Sequence, residues 1–190
     1  MTRHLPSLLL AVLTLAAPFA AAQQPPGVSQ SLTQLADQPA THVGFTFDRS
    51  MLEFAGSFID SGGPAGRRAV AALNSITVDT YRYQRPAFYT PEVMASIIDT
   101  YHAAGWKHLV NANASPAGSA SPRGPVTDLW LHFANAEIDD VTVLVRGPRD
   151  MNLIQISGSL RPLDLVHLSG HFGIPKVDPN AVMVPAPDGR

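Results

Sequence analysis

Residues 127–172 read TDLWLHFANAEIDDVTVLVRGPRDMNLIQISGSLRPLDLVHLSGHF, and apolar side chains recur at every second position in three parts of this segment. A period of two is typical of half-buried β-strands. The three parts are residues 127–134, 140–146 and 152–158, and short connections rich in turn-forming residues separate them. The segment therefore predicts three strands that pair as an antiparallel meander.

The rest of the chain supplies further strands and helices around this meander. Alternating or β-branched residues predict strands at 43–47, 76–83 and 106–110. Asp48 or Ser50 is expected to cap a first helix that runs to about Asp60. Further helices are predicted at 64–73, 91–104 and 162–169. This order predicts an α+β fold, a two-layer domain with a mostly antiparallel sheet and helices on one face.

The N-terminus has the pattern of a secretory signal peptide. Arg3 precedes an apolar run at residues 8–15, and small residues lead up to Ala22. A positively charged N-terminal region, a short apolar region and small residues before the cleavage site are typical of signal peptides. This pattern predicts cleavage after Ala22. The alternative, an uncleaved anchor, would need about 20 apolar residues, and Pro6 and Pro18 interrupt this segment. We therefore expect a periplasmic or secreted bacterial protein.

The mature chain is expected to form a single domain with loose ends. Residues 23–41 are rich in Gln, Pro, Ser and Ala, which predicts a flexible tether. A single α+β domain is predicted at 42–177, and prolines in residues 178–190 predict a flexible tail. After signal removal, no segment is long and apolar enough to predict a stable membrane span.

Composition excludes several classes of function. The chain has no cysteine, which excludes disulfides, thiolate metal sites, cysteine nucleophiles and lipid attachment at an N-terminal cysteine. Its formal net charge is −2, with 13 basic and 15 acidic residues, and this balance argues against nucleic acid as a partner. No phosphate-binding loop or nucleophile elbow occurs. We therefore assign no cofactor and no catalytic residue.

A closing motif gives the chain a family resemblance. The motif combines residues 155–158, Leu163, Leu168 and the run SGHFGIP at 169–175, with a tyrosine strand around Tyr81 and Tyr83 and a Gly105-Trp106 step before it. In these features, over residues 43–177, the chain resembles the bacterial family called domain of unknown function 4252. The resemblance implies a small exported protein without assigned activity. The absence of cysteine means that it does not imply a lipid anchor here.

One candidate metal site lies in the last predicted helix. Asp164, His167 and His171 are spaced at i, i+3 and i+7, so on a continuous helix all three would point the same way. The alternative is that His167 fills a half-buried flank while His171 lies beyond the helix end, in a Gly-rich cap. Acidic pairs elsewhere, such as Asp139-Asp140 and Asp128 with Glu137, are expected at turns, where carboxylates are solvated.

A candidate contact surface lies on the face of the meander opposite the one that carries the alternating apolar residues. If the alternating valines and leucines face the helices, then Trp130, Leu144, Arg146 and Leu153 share the opposite face. An apolar patch rimmed by polar groups usually marks an interface. The alternative is that the first strand, the N-terminal segment or the tail folds over this face.

These observations favour a non-enzymatic exported protein that binds an envelope protein or a second copy of itself. Two alternatives come from other classes. The first is a metal-dependent hydrolase that uses His167 and His171. The second is a carrier that stacks a sugar or an aromatic ligand on Trp130, Tyr81 or Tyr83.

Overall fold

The computed structural model describes residues 24–56, 63–111, 120–171, 174 and 182–186, and in these residues helices flank one seven-stranded sheet. The strands are β1 (Thr41–Asp48), β2 (Leu73–Arg82), β3 (Lys107–Asn111), β4 (Val126–Ala134), β5 (Glu137–Arg146), β6 (Asp150–Leu160) and β7 (Met183–Pro185). The helices are α1 (Val28–Thr33), α2 (Arg49–Gly56), α3 (Gly63–Ala71), α4 (Pro91–Ala103) and α5 (Pro162–Leu168).

The sheet has the order β1-β2-β6-β5-β4-β3-β7, and every neighbouring pair is antiparallel. The predicted meander forms its centre as β4, β5 and β6. The α+β class and the antiparallel sheet are therefore confirmed.

Local signals in the sequence explain where several elements begin and end. The carboxylate of Asp48 accepts hydrogen bonds from the backbone N–H of Met51 (2.9 Å) and from the hydroxyl of Ser50 (2.6 Å), so Asp48 caps α2 as expected. The predicted continuation of α2 through residues 57–60 lies outside the described residues. Pro91 opens α4, and Gly105, with φ of 84°, follows its end.

The hairpin between β4 and β5 is a two-residue turn. Asn135 and Ala136 both have positive φ, 51° and 70°, which is the type I′ conformation that matches the twist of paired strands. Ala at the second position is unusual, because glycine is preferred there. The two-residue turn therefore connects the end of β4 directly to the start of β5.

Helices cover both faces of the sheet, which differs from the predicted arrangement on one face. On one side α1 and α4 pack on Trp130, Leu144 and Leu153. On the other side α2, α3 and α5 contribute to a second core around Val143 and Ile154. The reason is that the central strands carry apolar residues on both sides, and such strands are stable only when both faces are covered.

The segment predicted to be a flexible tether, 23–41, contributes to the core from α1 onward. Val28, Leu32 and Leu35 are buried against α4 and the sheet. The backbone N–H of Thr90 donates to the carbonyl of Leu35 at 2.8 Å, and Ala36 bridges to Tyr89. The tether prediction is therefore wrong for this part of the chain, because its few apolar residues all point into the core.

The C-terminal tail was predicted to be flexible over residues 178–190. Within it, β7 pairs with β3 in the register Leu109 to Pro185 and Val110 to Val184, so this part is a strand. The remaining residues of the tail lie outside the described residues, apart from those that flank β7. The predicted signal peptide at 1–22 also lies outside them.

Candidate functional site

The residues predicted to form an exposed contact surface are buried. Trp130 exposes 1% of its surface, Leu144 0%, Leu153 3% and Arg146 4%. They lie under α1 and α4, so the N-terminal segment and the long helix cover the face that was expected to meet a partner. The prediction of a contact surface at Trp130, Leu144, Arg146 and Leu153 is therefore wrong.

Trp130 sits in the middle of a three-ring stack. His108 stacks on one side at a centroid distance of 4.7 Å and an interplanar angle of 8°, and Tyr101 also stacks on Trp130, at 4.7 Å and 16°. The hydroxyl of Tyr101 bonds with that of Thr142 at 3.2 Å, which ties α4 to the sheet. Because protein rings already occupy Trp130, it is not a platform for a sugar or aromatic ligand.

The two tyrosines proposed for ligand stacking are also engaged. His42 stacks on Tyr81 at 4.5 Å, and the ring of Tyr83 meets Tyr89 edge-on at 6.1 Å. Burial, with a smaller contribution from the neighbouring Tyr81, raises the pKa of Tyr83 to about 12. Both side chains are parts of the core, so the structure offers no support for the carrier hypothesis at these positions.

A charged centre lies next to this stack, inside the same core. Asp128 accepts hydrogen bonds from Arg146 Nη2 at 2.8 Å and Nε at 3.2 Å, and its other oxygen lies 3.1 Å from His108 Nε2. All three side chains are at least nine-tenths buried. Burial alone would raise the pKa of Asp128, but the hydrogen bond from His108 and the charge of Arg146 outweigh it, so the net pKa is lowered.

This centre explains why Arg146 can lie inside the protein. A buried guanidinium is tolerated when a carboxylate partner and further hydrogen bonds compensate its lost hydration. Asp128 was expected at a solvated turn, and Arg146 on an exposed face. Their positions on β4 and β5 placed them on one side of the sheet, but the sequence alone did not show that helices cover that side.

The predicted metal ligands of α5 do not come together. Asp164 is buried, and its carboxylate accepts hydrogen bonds from the backbone N–H of Arg161 at 2.8 Å and from Arg68 at 2.6 Å. His167 is exposed, and α5 ends at Leu168, before His171. Among the described residues, the group of converging potential ligands does not include this trio. The hydrolase prediction at Asp164, His167 and His171 is therefore wrong, because Asp164 serves as a helix cap and ion-pair partner instead.

A different trio of potential ligands converges at the β4–β5 end of the sheet. One ligand atom each of His132, Asp139 and Asp140 lies within 4.8 Å of the other two. The sequence does contain a signal for this geometry. Ile138 and Val141 are buried in the same core although three positions separate them, which breaks the period of two and marks an inserted residue.

An apolar strip lies at the β1 edge of the sheet, exposed at two of its three residues and half-buried at Phe47. We call Val43, Phe45 and Phe47 the β1 strip, because all three side chains lie on the face that carries Ile76 and Val78. Val43 is 65% exposed and Phe45 52% exposed. On α2, which follows β1 directly, Phe54 is 70% exposed. The alternation of this strand was predicted, but its position at the sheet edge was not.

The backbone of β1 is regular along its whole length. Its eight residues pair with β2 in one continuous register, from Thr41 opposite Arg82 to Asp48 opposite Ser75. In the part of the chain that the structure describes, β1 pairs with β2 alone. It contains no lysine, no proline and no bulge, the devices by which edge strands usually avoid association.

Comparisons with known proteins leave the chain without a match. No family model, no curated protein and no solved structure matches it. The resemblance to domain of unknown function 4252 therefore stays a prediction. In the described part of the chain, helices are too short or too polar to cross a membrane.

Proposed function

We propose that this protein is an exported, non-enzymatic module that associates with a second copy of itself through β1. The observation that carries the proposal is the regular edge of β1, which pairs with β2 alone among the described residues, together with the exposed side chains of Val43 and Phe45. Addition of a strand to such an edge supplies a ladder of backbone hydrogen bonds, and the side chains on either face supply specificity.

The sequence of β1 is complementary to itself in one antiparallel register. In an antiparallel pair, residues opposite each other lie on the same face, so a two-fold axis through Phe45 places Val43 opposite Phe47 of the second copy. The same axis places Gly44 opposite Thr46 and His42 opposite Asp48. Apolar residues thus meet apolar residues on one face, and polar residues meet polar residues or glycine on the other.

Neighbouring symmetric registers are less favourable. An axis through Gly44 places Thr41 opposite Phe47 and removes Asp48 from His42. An axis through Thr46 places Gly44 opposite Asp48. The pairing through Phe45 is therefore the register that combines the apolar pairs with His42 opposite Asp48, and it would join two sheets into one continuous sheet.

The compartment in this proposal rests on the signal-peptide pattern of residues 1–22, with Arg3, the apolar run and Ala22. The motif at residues 169–175 supports membership of the exported family named above. The non-enzymatic character rests on the absence of a recognisable catalytic motif in the sequence. A protein of the envelope or the extracellular space without disulfides gains stability from association, because a partner that binds the folded state shifts folding by mass action.

Sedimentation velocity of the mature chain over a range of concentrations tests this proposal. The natural chain is expected to show a monomer–dimer equilibrium, and Phe45→Lys is expected to shift it to monomer, because two lysines would then face each other across the axis. Leu163→Lys is the matched control. Leu163 is 68% exposed on α5, so this variant is expected to dimerise like the natural chain.

Two results would contradict the proposal. One is a natural chain that sediments as a monomer at every concentration. The other is a dimer that persists unchanged in Phe45→Lys. Circular dichroism of each variant controls for loss of the fold.

A further inference from the structure

A β-bulge brings three potential metal ligands to one side of the sheet. His132 pairs with Asp140, and Phe133 pairs with Ile138, so Asp139 is an extra residue on β5. In a regular strand, adjacent side chains point to opposite faces. At a bulge two residues oppose one on the partner strand, which re-aims a side chain. Here the result is that the carboxylates of Asp139 and Asp140 both lie near the imidazole of His132.

We infer that His132, Asp139 and Asp140 form a binding site for a first-row divalent metal ion such as Zn²⁺. This inference goes beyond the proposed self-association and does not depend on it. The three residues offer one imidazole nitrogen and two carboxylate oxygens, a donor set that suits these ions. No sulfur ligand is needed.

The distances are compatible with one ion. The potential ligand atoms lie within 4.8 Å of one another, and His132 Nδ1 lies 2.7 Å from Asp139 Oδ1. Zinc ligands at about 2.1 Å from the metal are about 3.4 Å apart in a tetrahedral site. Binding of an ion therefore requires the Asp139 carboxylate to rotate, so that its oxygen moves from 2.7 Å to about 3.4 Å from His132 Nδ1. In the bound state Nδ1 of His132 would present its lone pair to the ion, so metal coordination replaces the hydrogen bond between His132 and Asp139.

The site is supported on one side and open on the other. The ring of Trp106 lies 5.3 Å from that of His132 and limits its movement. The type I′ turn at Asn135 and Ala136 fixes the two strands just beyond the bulge. The side chains of His132 and Asp139 are 33% and 37% exposed, so an ion can enter from solvent and keep water in its remaining positions.

Comparison with the other His–Asp pairs of the sheet makes the inference specific. His42 and Asp79 lie 2.8 Å apart, and His108 and Asp128 lie 3.1 Å apart. In the described residues, neither pair belongs to a converging group of three ligands. At Asp128 the third partner is Arg146, whose positive charge disfavours a cation. A His–Asp pair is thus common in this sheet, and the second carboxylate distinguishes the pair at the bulge.

Isothermal titration of the chelator-treated mature chain with Zn²⁺ tests the inference. The natural chain is expected to bind one ion at this site, and His132→Gln and Asp139→Asn are each expected to weaken binding by at least about tenfold, the lower end of what the loss of a supporting group costs. His167→Gln is the control, because it removes an exposed histidine on α5 that lies outside the converging group, and it is expected to leave the affinity unchanged.

Tryptophan fluorescence gives an independent readout. Since Trp106 lies next to His132, Co²⁺ at the site is expected to quench emission in the natural chain and in His167→Gln, and to quench it much less in Asp139→Asn. Equal Zn²⁺ affinity and equal quenching in all four proteins would overturn the inference, as would the absence of saturable binding to the natural chain. Phe45→Lys tests independence from self-association, because it is expected to bind Zn²⁺ like the natural chain.

Discussion

Asp128 is the residue on which the buried charges of this protein depend. It is the carboxylate partner of Arg146 and also receives a hydrogen bond from His108. Replacement by asparagine removes the carboxylate that forms the ion pair with the buried guanidinium. We expect Asp128→Asn to lower the free energy of unfolding by about 3 to 5 kcal/mol, measured by urea denaturation. Asp99→Asn, at an exposed position of α4, is the control and is expected to change it by less than about 0.5 kcal/mol.

The same residue predicts part of the acid sensitivity. The pKa of Asp128 in the folded protein is below its ordinary value of 3.8, so the folded state releases this proton more readily than the unfolded state. The stabilisation is therefore present above about pH 4 and is lost as the pH falls through the folded pKa. Between about pH 4 and the folded pKa of Asp128, the free energy of unfolding of the natural chain should fall more steeply with decreasing pH than that of Asp128→Asn. Parallel slopes, or a cost below about 1 kcal/mol at neutral pH, would contradict this assignment.

At the level of secondary structure, two glycines are expected to respond in opposite directions to the same substitution. A Cβ at Gly158 in β6 would overlap the backbone oxygen of Ala72, whereas a Cβ at Gly66 in α3 meets no atom within 4 Å. Gly158→Ala should therefore destabilise the protein by about 1 to 3 kcal/mol through overpacking. Gly66→Ala should stabilise it by about 0.5 to 1 kcal/mol through helix propensity. Thermal denaturation of both variants measures the contrast, and a shift of the same sign in both would contradict the packing described at β6.

The sequence predicted long elements well and short ones poorly. The meander and α4 carry several periods of apolar spacing, and Asp48, Pro91 and Pro162 are strong start signals for α2, α4 and α5, so these elements were recognised. By contrast, α1 has six residues and β7 has three, too few for periodicity to be distinct from chance. Asp139 was taken for a turn acid because the break in alternation after Ile138 was not recognised as a bulge.

The candidate site was harder to predict than the fold, for a physical reason. Arg146 lies beside Trp130, Leu144 and Leu153 on one face of the meander, and an arginine among apolar residues favours a contact surface over a buried core. In the structure, Asp128 neutralises Arg146 and Tyr101 satisfies Thr142, so the polar groups are compatible with burial. Such pairings join residues from distant parts of the chain, and local sequence patterns do not contain them.

For the whole molecule, the N-terminal segment is expected to be necessary for a stable fold. Val28, Leu32 and Leu35 are almost fully buried, and together their burial contributes on the order of 5 kcal/mol, comparable with the total stability of a small domain. A chain that starts at Pro39 should therefore bind a hydrophobic dye and lose its cooperative thermal transition. A chain that starts at Gln23 is the control and should retain both the transition and low dye binding. Identical melting of the two chains would show that α1 is dispensable.

The order of strands in the sheet also determines when the protein can fold during its synthesis. β2 lies between β1 and β6, and its partner residues on β6 extend to Gly158. A ribosome must therefore make most of the chain before β2 gains its second neighbour, and a two-stranded ribbon of β1 and β2 is not stable alone. During translation the first half of the protein stays open and accessible to chaperones until β6, the last central strand to emerge, pairs with β2.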